Sequence, residues 1–131
     1  MANPNIVNVA TINGGSLGWN VGTGLNSLIT VASDYILKIN RIVVANVDGT
    51  NAADISVAIT MAGTPAQTGL TVNTAAATTM YVAKTISVPA DASLVISDTP
   101  IYLRESDILK ANASAASDLD LTITFELLTD Q

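Results

Sequence analysis

Cysteine and histidine are both missing from this 131-residue chain. Their absence excludes a disulfide framework, a thiolate or imidazole metal site and any nucleophile triad that relies on histidine. Charge is scarce as well. Ionisable Asp, Glu, Lys and Arg make up 12% of the chain, against about 25% in an ordinary soluble domain. The five basic residues, Lys38, Arg41, Lys84, Arg104 and Lys110, are scattered, and the net charge is −6. A nucleic-acid surface needs a basic stripe to neutralise phosphates, so DNA and RNA are not expected partners. No apolar run approaches the ~18 residues of a membrane span. The opening MANPNIVNVATINGG has neither a basic flank nor a signal-like apolar core. The expectation is a protein made in the cytoplasm that meets no membrane.

The missing charge is replaced mainly by Ala, Thr, Ser and Asn, while 49% of residues are hydrophobic. Such a surface is poorly protected against association. Much of its outside is therefore expected to face other protein.

The hydrophobic period is two almost everywhere, the signature of half-buried strands. In DLDLTITFEL, Leu119, Leu121, Ile123, Phe125 and Leu127 share one face, while Asp118, Asp120, Thr122, Thr124 and Glu126 share the other. Residues 54–61 alternate in the same way. Residues 35–47 carry apolar side chains on both faces, which predicts a strand covered on both sides for part of its length. Further strands are predicted at 6–12, 28–31, 80–88, 93–97, 101–104 and 108–111, separated by Gly, Pro and Asp punctuation. The alanine-rich residues 72–80 are the one helix candidate, and their threonines favour extended chain. This spacing predicts one all-β domain, an antiparallel β-sandwich of Ig-like or jelly-roll type, over residues 27–131. Residues 1–26 hold five of the eight glycines and predict an N-terminal arm or long loop.

Candidate chemistry is thin. NVDGTNAADIS gathers Asp48, Asn51 and Asp54, yet it lacks the alternate acids and closing glutamate of an EF-hand. Asp-Gly predicts a hairpin turn with positive φ there. Asp118, Asp120 and Glu126 are read as a solvated strand face that discourages wrong pairing, rather than a glycosidase acid pair. Asp107 reads as a turn acid. The glycine clusters match neither phosphate-binding fingerprint, and there is no GxSxG elbow or SxxK motif. No catalytic residue, cofactor or metal is expected, and the chain is read as not an enzyme. Only five aromatics are available for stacking. Among them Trp19, set between glycines, is either an anchor for its own segment or an interface knob.

MANPNIVNVATING, KINRIVVANVDGTNAADISVAI and ISVPADASLVISDTPIYLRESDILKANASAASDLDLTITFELL together resemble small virion structural proteins of tailed bacteriophages, particularly of cyanophages and other aquatic phages. The shared phrases are an N-x-D-G-T-N turn after a strand, a V-P-A turn and an I-Y-L-x-E-x-D corner. The chain departs from that pattern at AGTPAQTGLTVNTAAAT (62–78), where such proteins have more residues, and at RESD, where they have an acid pair. The resemblance implies a capsid decoration, or cement, protein on the virion surface, commonly a homotrimer, that binds the major capsid protein and stabilises the head. The expected contacts are Asn3, Pro4, Ile6, Val7, Val9 and Trp19, with one sheet face of small residues. Alternatives are a tail, neck or fibre component, or a glycan-binding adsorption module.

Overall fold

The computed structural model describes residues 10–61 and 79–129. These residues form nine strands: β1 (Thr11–Asn20), β2 (Asn26–Thr30), β3 (Tyr35–Asn46), β4 (Ala53–Thr60), β5 (Thr79–Val88), β6 (Ser93–Ser97), β7 (Ile101–Leu103), β8 (Ile108–Ala113) and β9 (Leu119–Thr129). There is no helix among them. One sheet has the order β1-β9-β3-β6, with β7 also pairing β3, and the other has the order β2-β8-β4-β5. All strand pairs are antiparallel. The chain changes sheet at every connection except β4 to β5 and β6 to β7. With β6 and β7 counted as one interrupted strand, these are the two interleaved four-stranded sheets of a jelly roll. An Ig-like sandwich would keep its first two strands in one sheet, whereas here β1 and β2 lie in different sheets.

The core lies between the sheets. From the first come Leu37, Ile39, Ile42 and Val44 of β3 and Leu119, Leu121 and Ile123 of β9. From the second come Ile55, Val57 and Ile59 of β4 and Leu109, Ala111 and Ala113 of β8, and all are buried. Each large aliphatic side chain among them contributes about 1.5–3 kcal/mol by leaving water.

Two expectations are corrected here. The first, cover on both faces of residues 35–47, holds only at the start of β3, where the adjacent Ile36 and Leu37 are both buried; the rest of the mixed pattern comes from a bulge. The register of β3 on β9 shifts between Ile39 and Arg41, so Asn40 is a bulge residue. One extra residue reverses the parity, which brings Leu37 and Ile39 onto the same inner face as Ile42 and Val44. The second correction concerns the glycine-rich segment. Thr11–Asn20 is no loop; it is β1, paired with β9 from Thr11↔Thr129 to Asn20↔Asp120. The boundary expected after residue 26 therefore falls inside the sandwich. β1 has almost no core of its own, but β9 supplies its backbone partners. A Cβ at Gly15 would lie 3.2 Å from Cζ of Phe125, so glycine lets an aromatic ring close over the strand. The helix candidate at 72–80 lies outside the described residues except for Thr79 and Met80, which open β5.

Candidate interaction surface

The residues first suspected of chemistry serve as architecture. Residues 47–52 join β3 to β4 across the two sheets, so they form a crossover rather than a hairpin, and Gly49 does not adopt positive φ. Buried Asn46 organises the loop: its side-chain amide donates to the carbonyls of Asn51 (3.0 Å) and Val88 (2.9 Å), and its Oδ1 accepts from the Asp48 N–H at 2.8 Å. The Asp48 carboxylate in turn accepts the Thr50 N–H at 2.8 Å, the hydrogen bond of an Asx turn. That bond, above all, holds the Asp48 carboxyl below its ordinary pKa.

The acids of β9 are spread along a strand. Asp120 accepts from the Asn20 amide at 2.8 Å, and Glu126 meets Lys38 at 3.5 Å and accepts from Asn40 at 3.2 Å. Six residues of strand put Asp120 and Glu126 about 20 Å apart, twice the widest separation a glycosidase pair uses. Asp107 is buried in the R-E-S-D corner. It accepts the Arg104 N–H at 2.9 Å and lies 3.9 Å from the Arg104 Nε. The corner is bonded to the end of β2 through Val31 N–H to the Asp107 carbonyl and Ser106 N–H to the Val31 carbonyl. Among the described residues no group of three acids could hold a metal ion.

Of the expected contact residues, Asn3, Pro4, Ile6, Val7 and Val9 lie outside the described residues. Trp19 is on β1, half-buried against the core beside Leu121, so its larger share of contact is with its own fold. Tyr81 and Tyr102 are 44% and 49% exposed. They sit on different sheets and form no common stacking platform.

Three exposed apolar features were not legible as a surface in the sequence. Along β1, Ile12 and Leu17 project from a strand exposed at nearly every position. Along β5, Met80, Tyr81, Val82 and Ile86 are all well exposed. Between the β1 and β2 edges lies a largely apolar cleft of about 420 Å³, walled chiefly by Leu17, Ile29, Tyr35, Phe125 and Leu127. The β5 exposure follows from two register shifts, on either side of Val57 in its partner β4. They break the alternation that would otherwise have marked an inner face. Thr85 lies within the first irregularity at φ 50°, and its N–H donates to Ser56 Oγ at 2.9 Å.

No protein-family model and no curated protein matches the chain. Among solved structures, one described under "Bacillus endospore appendages form a novel family of disulfide-linked pili" aligns with a TM-score of 0.48 and 13% identity, over 92% of this chain and 88% of that one.

Proposed function

We propose that this chain is a non-enzymatic structural protein of a bacteriophage virion, a capsid decoration protein that docks on the major capsid protein and stabilises the head. The observation that carries the reading is the surface. A sandwich poor in charge exposes an apolar stretch on β5 and, on the two faces of β1, Ile12 and Leu17, and soluble proteins that work alone seldom keep such residues bare. The jelly roll is also an architecture used by viral capsid domains, although a fold by itself assigns no activity. The likeness of its turn and corner phrases to phage virion proteins supplies the viral context. Many identical copies on a shell make modest individual contacts effective, because each bound copy adds to the stability of the whole lattice. Assembly as a homotrimer on the head surface belongs to the same proposal.

The test is reconstitution. Purified chain is mixed with phage heads that lack it, the particles are sedimented, and bound copies are counted. A decoration protein saturates at hundreds of copies per head and raises the temperature at which heads release DNA. Saturation at a few dozen copies or fewer identifies a neck, tail or fibre part instead. No binding to heads or tails removes the virion reading.

A further inference from the structure

Among the described residues, the four sheet edges are not equally protected. Proteins blunt exposed edges with short strands, bulges, lysine or proline, because a bare edge recruits other strands. β2 has five residues and a register shift after Ser27. The β6–β7 edge is two short strands separated by Asp98-Thr99-Pro100. β5 has two register shifts and Lys84. β1 has none of these devices: ten residues, TINGGSLGWN, in unbroken register with β9, without a charge, a proline or a bulge. Among the described residues nothing pairs with its other side.

The direction of its free backbone groups follows from the register. Val21 N–H donates to the Leu119 carbonyl at 2.8 Å, next to the pair Asn20↔Asp120. Alternate residues of an antiparallel strand turn both backbone groups to the same side. Ile12, Gly14, Ser16, Gly18 and Asn20 therefore present their N–H and C=O groups away from β9. Three of these five residues are Gly or Ser, and strand side chains, Ile12 included, stand perpendicular to the sheet, so an approaching strand meets little hindrance.

We infer that this edge is a self-association seam, on which β1 of a second copy pairs antiparallel across a twofold axis near Gly15 and Ser16. Charge favours this occupant. The whole chain carries −6, which opposes self-contact over most of its surface, whereas β1 carries none. The nearest acids, Asp120 and Glu126 on β9, would face their counterparts across three strand spacings, about 14 Å. That exceeds the screening length of about 8–10 Å in physiological salt. Pairing joins the two β1-containing sheets into one and covers the rim of the apolar cleft, where Leu17 is 45% exposed. A seam about 33 Å long and one sheet thick buries on the order of 330 Å² per copy, less than the roughly 800 Å² of a standard interface. The dimer is therefore weak in solution and fills where copies are held side by side. This seam does not depend on the capsid reading, since its cross-linking and sedimentation are read on the purified chain alone.

The absence of cysteine supplies the experiment. Ser16→Cys places a single thiol on the seam, and Thr124→Cys places one on the same sheet face one strand inward. Full-length variants at high concentration are treated with a short bis-maleimide, and sedimentation of the unmodified chain is followed across a concentration series. The expected result is a covalent dimer at least tenfold more abundant for Ser16→Cys than for Thr124→Cys, concentration-dependent dimerisation of the parent, and loss of that dimerisation in a folded Ser16→Lys variant. Equal cross-linking of the two thiols, or a parent that stays monomeric at millimolar concentration, overturns the proposal. So does a Ser16→Lys variant that loses head binding while the parent never self-associates, because the edge then receives a strand from another protein.

Discussion

Asn46 shows how much of this structure rests on one amide. It is 3% exposed and ties the β3 end to the loop after it and to the carbonyl of Val88 at the β5 end. Asn46→Ala leaves buried carbonyls without donors, and we expect a loss of about 1–3 kcal/mol in urea unfolding. Its neighbour Asp48 makes a pH prediction. A carboxyl whose folded pKa is lowered contributes stability above its unfolded value, about 3.9, and loses that contribution as pH falls through the folded value. Asp48 is partly exposed and its bond to the Thr50 N–H lies at the surface, so the effect is small. Urea midpoints of the parent and of Asp48→Asn should differ near pH 6 and converge toward pH 2. The composition of this loop was legible in the sequence, but its path was not: Asp-Gly is common in hairpins, and only the assembled sheets show that this one crosses between them.

At the scale of elements, the two irregular strands carry opposite lessons. β3 uses the Asn40 bulge to keep Leu37, Ile39, Ile42 and Val44 on one face, and the sequence betrayed this only as a broken alternation. β5 uses its irregularities to stay irregular at an edge. There Thr85, β-branched and at positive φ, holds a conformation that costs about 1–3 kcal/mol. Thr85→Gly should raise stability by about 1 kcal/mol while keeping the N–H bond to Ser56. Ser56→Ala should lower it by about 1 kcal/mol, with both read as shifts in thermal midpoint. The other strands were readable because alternation and punctuation agreed, as in Leu119, Leu121 and Ile123. β1 was hidden for a physical reason. A strand with three glycines earns its place through the partner that accepts its backbone, and that partner, β9, lies a hundred residues away.

For the whole molecule, topology decides the tempo. Nearly every pairing joins residues far apart in sequence, and such folds close slowly because loop entropy is spent before contacts repay it. We expect refolding on the millisecond-to-second scale, followed by the fluorescence of Trp19, the sole tryptophan. A microsecond phase accounting for the full amplitude would contradict the interleaved strand order. That order also explains why the candidate surface escaped sequence reading. An edge is a property of which strands end up without neighbours, and no local pattern records it.

One consequence concerns synthesis on the ribosome. β9 sits between β1 and β3 yet follows every other described strand. Until it clears the exit tunnel, β1 has no partner in its sheet and β3 has only the short β6 and β7, so a nascent chain stalled before Leu119 should remain sensitive to protease. The uncharged β1 therefore emerges well before β9 and is secured only after it.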